Sequence, residues 1–139
     1  MIPCRLTDMS KYHSKKVQAD GMTFDSVREY RRFKELQMLE KAGAIYNLRR
    51  QVKYILIPAQ YAPSVPQKNG KMKRGKLLER ECSYTADFVY SEVLPFSEPP
   101  NYITVVEDVK GYKGGGAYTV FTIKRKLMLY KYGIKIKEV

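Results

Sequence analysis

Asp108 and Lys110 stand two positions apart in the segment V-V-E-D-V-K-G, at the end of a run of strand-forming residues. Side chains alternate faces along a strand, so Asp108 and Lys110 point one way and Glu107 the other. Val105 and Val106 precede them, which places an acid and a lysine at the end of a buried strand, where charge is costly unless compensated. Taken alone, an Asp-x-Lys pair fits a salt-bridged sheet edge better than a site. Asp87, in Y-T-A-D-F, changes that reading, because aspartate is disfavoured in strands and here sits among strand formers. If the two strands pair as a hairpin, Asp87 and Asp108 share a face. Two carboxylates so close repel until one takes up a proton or a cation lies between them. A divalent cation resolves the conflict, and magnesium needs no more than one or two carboxylates plus waters.

A third acid comes from a helix. Ser26 and Glu29 have capping-box spacing, opening a helix expected from about Ser26 to Lys41 and ended by Gly43. At 100° per residue Glu29 falls within about 40° of Phe33, on the stripe that also carries Leu36. A glutamate on a buried helix face needs a reason. Closing the capping box is one, reaching toward a site is another, and the two are compatible. Gln51, on the strand that follows, could hydrogen-bond a ligand or a water, although an ordinary strand glutamine is the simpler reading.

The elements that must position these side chains follow from periodicity and turn signals. Residues 1 to about 20 read as a basic arm, with Lys11, Lys15 and Lys16 suited to phosphate contact. After the helix, the run ending in V-K-Y-I-L-I-P reads as a strand buried toward its end and stopped by Pro58. Residues 59–80 are loop-like, with Pro63, Pro66, Asn69-Gly70 and Gly75. That stretch carries Lys68, Lys71, Lys73, Arg74, Lys76 and Arg80 against the single acid Glu79, a pattern expected of a mobile, functional loop. Glu81 to Tyr90 forms a second strand and Y-I-T-V-V-E-D-V-K a third, broken by Gly111 and the run Gly114 to Gly116. Thr119 to Tyr130 is helix-compatible, with Val120, Ile123, Leu127 and Tyr130 as its stripe and Lys124, Arg125 and Lys126 mostly outside it. A short strand, I-K-I-K-E-V, ends the chain. The order is helix, three strands, helix, strand, within a single domain of 139 residues.

Composition narrows the partners. Twenty-six Lys and Arg against 14 Asp and Glu leave a formal charge of +12, and such self-repulsion points to an anionic partner, nucleic acid first. No uninterrupted apolar run approaches about 18 residues, which argues against a membrane span. The opening M-I-P-C-R-L-T-D-M-S has no apolar signal core, which points to an intracellular protein. Two cysteines, Cys4 and Cys82, and one histidine, His13, cannot supply a structural zinc site or a multi-histidine metal centre. His13 reads as a solvated residue of the arm.

Together the acids and the lysine run in order: a helix Glu, a strand Asp, then Asp-x-Lys on the next strand. In this order the chain resembles the PD-(D/E)XK nuclease superfamily. It is most similar to the small phage-type enzymes, through F-D-S-V-R-E-Y, Y-T-A-D-F, V-V-E-D-V-K-G and the ending K-R-K-L-M-L-Y-K-Y-G. Ala86 stands where the motif has its proline. The resemblance spans about Lys11 to the C-terminus. It implies an α/β (α+β) restriction-endonuclease-like core, a central mixed four-stranded sheet flanked by helices. It also implies a magnesium-dependent endodeoxyribonuclease, with manganese as a substitute ion. Asp87 and Asp108 would bind the metal, Glu29 would assist directly or through water, and Lys110 would position or help deprotonate the attacking water, or stabilise charge on the phosphate.

Lys15, Lys16, Lys71, Lys73, Arg74, Lys76, Lys124 and Arg125 form several separate phosphate-binding surfaces, and nothing reads as a base-recognition helix. Relatives of this size and charge resolve branched DNA as dimers. The resemblance therefore implies a homodimer acting on branched DNA, as a Holliday-junction resolvase or a flap-cutting enzyme, in the cytoplasm of a bacterial host as a phage or prophage protein. A non-catalytic basic DNA-binding protein on the same scaffold, a structural protein with internal salt bridges and a sequence-specific endonuclease stay open at this point.

Overall fold

The computed structural model describes residues 15–139. His13, Lys11 and Cys4 lie outside them. In chain order the elements are β1 (Val17–Ala19), β2 (Met22–Phe24), α1 (Val27–Lys41), β3 (Ile45–Ile57), β4 (Gln60–Tyr61), β5 (Val65–Pro66), β6 (Met72–Lys73), β7 (Leu77–Glu79), β8 (Cys82–Val93), β9 (Tyr102–Asp108), α2 (Gly115–Tyr132) and β10 (Lys137–Glu138).

The main sheet has the order β10-β9-β8-β3. β8 pairs antiparallel with both neighbours, and β10 lies parallel to β9, so the sheet is mixed, as expected from the sequence. Each face carries one helix. On one side α1 buries Phe33 and Leu36 against Phe24, Ile45, Phe88 and Tyr90. On the other, α2 buries Phe121 and Met128 against Leu56, Tyr84, Ala86, Val89, Val106 and Ile136. A side chain as large as Phe88 or Met128, 0% exposed, contributes roughly 1.5–3 kcal/mol by leaving water.

α1 begins as its sequence dictates. The Ser26 hydroxyl accepts the Glu29 N–H at 3.1 Å, and the Glu29 carboxylate accepts the Asp25 N–H at 2.9 Å, one residue earlier than an ordinary capping box. The first turn is thereby tied at both ends, which fixes the direction of the Glu29 side chain.

Several expectations need correction. β3 is an edge strand, so only Ile45 and Leu56 are buried along it, whereas a strand buried toward its end was expected. Residues 59–80 are not an irregular loop. They continue the β3–β8 hairpin as an arm of two short ladders, β4–β7 and β5–β6. The arm is closed at Asn69-Gly70, where the Gln67 N–H donates to the Lys71 carbonyl at 2.8 Å. Pro58 and Pro63 interrupt the pairing without ending it. Gly75 permits the strands to close up: a Cβ there would lie 2.0 Å from the Ala62 carbonyl oxygen. Within the stretch read as an N-terminal arm, residues 17–19 are paired with β2 in a small hairpin.

The last correction concerns α2. It starts at Gly115, four residues before the expected Thr119, and turns a different stripe inward. Phe121 and Met128 are buried and Tyr118 packs beside them; of the expected stripe only Leu127 packs against this core, while Val120, Ile123 and Tyr130 are exposed. The final strand is shorter than expected, but its neighbours hold the end of β9. The Val139 N–H donates to the Asp108 carbonyl at 2.9 Å and the Lys110 N–H to the Val139 carbonyl at 3.0 Å.

Candidate active site

The ladder between β8 and β9 ends at the pair Phe88–Glu107. One step further, where β9 ends and β8 continues, Asp87 and Asp108 face each other, and between these two strands side chains take over from backbone pairing. Asp87 Oδ2 accepts the Val109 N–H at 2.8 Å. Asp108 Oδ2 accepts the Tyr84 hydroxyl at 2.9 Å, and its Oδ1 lies 3.1 Å from Lys110 Nζ. The Lys110 ammonium sits 3.6 Å from the centre of the Phe121 ring, so α2 supports it from below with the ring's negative face. Arg28 of α1 donates to the Lys110 carbonyl at 2.8 Å and pins the chain just past β9.

Glu29 joins the group through Gln51. Gln51 Nε2 donates to Glu29 Oε1 at 3.0 Å and lies 3.4 Å from Asp87 Oδ1, so one amide bridges helix and strand. Gln51 adopts a positive φ of 52°, a strained conformation for a residue with a side chain, opposite Asp87 in the β3–β8 pairing. Arg50 lies 3.6 Å from the same Glu29 oxygen and stacks over Phe24, 4.0 Å from its ring centre. Glu29 and Asp108 are only 2% and 6% exposed. Burial, together with the nearby Asp108 and Glu29 carboxylates, pushes the Asp87 carboxyl up to about 7 against the opposing pull of the Val109 N–H. Burial raises the Tyr84 hydroxyl, and Asp108 raises it further, so Tyr84 stays a proton donor to that carboxylate.

These groups surround an open cleft of about 650 Å³, lined among others by Glu29, Asp87, Asp108, Lys110 and Lys124. The four residues singled out by type and spacing thus come together, and Gln51, which looked ordinary, stands between two of them. Among the described residues no three His, Cys, Asp or Glu side chains are grouped to hold a metal ion. Glu29 is a step removed, with its oxygens engaged by Gln51 and the Asp25 N–H. Asp87 and Asp108 fit a hard divalent cation as a pair. Each of their oxygens has at most one protein donor, leaving a lone pair free, and a cation there would offset both the burial and the carboxylate repulsion that raise the Asp87 carboxyl.

The other basic residues divide. Lys124 lines the cleft. Lys71, Lys73, Arg74 and Lys76 are exposed on the arm, where Arg74 stacks over Tyr61 at 4.3 Å, and Lys15 and Lys16 are exposed ahead of β1. Arg125 of α2 is part-exposed and lies 3.3 Å from Glu138 of β10. Tyr84, Arg28 and Arg50 were not foreseen. Tyr84 stands three residues before the aspartate, on the opposite strand parity, and like the two arginines carries no signal, because only the tertiary fold brings it to the site.

No helix among the described residues is long and apolar enough to cross a membrane. Comparison with curated proteins and with solved structures finds no match. A family model described as "Protein of unknown function (DUF1064)" matches residues 9–138, nearly the entire chain. With these elements and this cleft, the chain belongs to the DUF1064 family.

Proposed function

We propose that this protein is a divalent-metal-dependent DNA endonuclease with a restriction-endonuclease-like core. On this reading it uses magnesium, or manganese in its place, and acts as a homodimer on branched DNA. The observation that carries the reading is the meeting of Asp87 in the middle of β8 with Asp108 and Lys110 at and just past the end of β9, beside a glutamate held through Gln51. The Asp108–Lys110 ion pair alone would suit a structural role. It is the second carboxylate, the half-buried Asp87 with its raised pKa, that a structural role leaves unexplained.

A divalent cation at the carboxylate pair supplies positive charge against the phosphate oxygens and acidifies an attacking water. The chain's own groups do the rest. Lys110, steadied by Phe121, presents an ammonium to a phosphate oxygen or holds the water in line. Tyr84 and the Val109 N–H fix the two carboxylates, and Gln51 relays the position of Glu29 to Asp87. Lys124 at the cleft, with the basic arm beyond it, supports binding to a nucleic-acid backbone.

The test is cleavage of supercoiled plasmid and of a four-way junction with and without magnesium or manganese. Wild type is expected to nick or cut only with metal. Asp108→Asn and Lys110→Ala are expected to lose at least 100-fold in rate, in line with removal of one charge-stabilising group, while keeping the fold, Asp108→Asn also keeping DNA affinity. Equal cutting by Lys110→Ala and wild type, or an Asp108→Asn protein that no longer folds, removes the reading.

A further inference from the structure

Tyr112 is 85% exposed, two residues beyond Lys110 and one beyond Gly111, which lines the cleft. It belongs to neither apolar cluster. The ring is nevertheless seated: a Cβ on Gly114 would lie 2.6 Å from its Cζ and hydroxyl oxygen. Gly114 has an extended backbone with φ of −151°, which any residue adopts, so its own conformation does not call for glycine. What the absent side chain provides is the place where the outer edge of the Tyr112 ring rests.

We propose that Tyr112 is a stacking platform for an unpaired base beside the phosphate held in the cleft. This rests on the nuclease reading and narrows its branched-DNA substrate to DNA with an unpaired base at the point of attack. Within an intact duplex both faces of a base are covered by its neighbours, and only an unpaired base offers a face to an exposed ring. Lys110 and Lys124 then meet the adjoining phosphates while the ring selects for the open strand.

The experiment places 2-aminopurine at the first unpaired position of a flap and, in a control, inside a duplex with closed ends. Calcium replaces magnesium so that binding is read without cutting. Wild type and Tyr112→Phe are expected to quench the flap fluorescence. Tyr112→Ala is expected to lose the quench and to bind the flap roughly tenfold more weakly, with closed-duplex affinity unchanged. Gly114→Ala, which displaces a flexible ring rather than backbone, is expected to lessen the quench with Tyr112 still present. Flap binding by wild type without quench, or an equal loss on both DNAs in Tyr112→Ala, overturns the proposal. Quenching by a protein that never cuts with magnesium would sink the nuclease reading and leave the platform standing. Cutting without quenching would do the reverse.

Discussion

At the scale of single residues, the competing demands of the cleft meet in Asp87. Burial and two neighbouring carboxylates favour its protonated form, while the Val109 N–H favours the charged one, and the balance lies near pH 7. That folded value lies above the unfolded value of about 3.9, so between the two the native state binds a proton that the unfolded chain has released. Stability from this group is therefore present below about pH 4 and is lost as the pH rises toward about 7. Glu107 acts the other way: burial raises its carboxyl, but hydrogen bonds from Arg32 and Tyr90 outweigh that and lower it, so its contribution is lost on acidification. Comparing wild type with Asp87→Asn isolates the first effect. Without divalent ions, the Tm difference should shift in favour of the variant as pH climbs from about 4 to about 8. Magnesium or manganese at pH 8 should then stabilise wild type but not the variant. Parallel Tm curves, or equal stabilisation by metal, would end this account. Asp87, Asp108, Lys110 and Glu29 were legible in the sequence because each contradicts the pattern around it, an acid or cation where apolar residues belong. Tyr84 and Arg50 are ordinary types for their positions, and the positive φ of Gln51 leaves no mark on the sequence.

At the scale of elements, β9 separates two roles between consecutive residues. Asp108 faces α2 and the cleft, whereas Glu107 faces α1, where Arg32 grips it with two hydrogen bonds of 2.6 and 2.9 Å and Tyr90 donates a third. Glu107 is 0% exposed, so Arg32 serves as its main counter-charge, with Lys137 of β10 further off at 3.6 Å. Arg32→Met should cost about 3 kcal/mol in urea unfolding by leaving a buried carboxylate short of its partner. Adding Glu107→Gln should restore part of that loss, because a neutral amide can still accept the Tyr90 hydroxyl. A single variant as stable as wild type would show that Arg32 does not tie α1 to the sheet. The identity and order of the main elements were readable because the capping residues, glycine breaks and strand runs are local signals. The inward face of α2 was not. Its sequence carries two apolar stripes of the same period, and the sheet selects Phe121 because that ring covers Tyr84 and Lys110. Residues 59–80 misled for a related reason: prolines and lysines mark a loop in isolation, but the register of β3 and β8 carries pairing past them.

At the scale of the molecule, a charge of +12 is carried partly by residues already engaged inside the fold and partly by free ones, and salt dependence tells them apart. Lys71, Lys73 and Arg74 are exposed on an arm whose ladders make no buried core, so replacing them should leave stability unchanged. If the arm lies along DNA, each contributes a phosphate contact. The slope of log K against log salt on duplex DNA should then become shallower by roughly 3 in the Lys71→Ala/Lys73→Ala/Arg74→Ala protein. Arg125 provides the contrast, since Glu138 already holds it at 3.3 Å and it serves the seam between α2 and β10. Arg125→Ala should leave the slope nearly unchanged and lower Tm instead. Measured by fluorescence anisotropy across a salt series, an unchanged slope in the triple variant would mean that the arm does not track the backbone. The excess charge would then have to act through the cleft and its immediate rim.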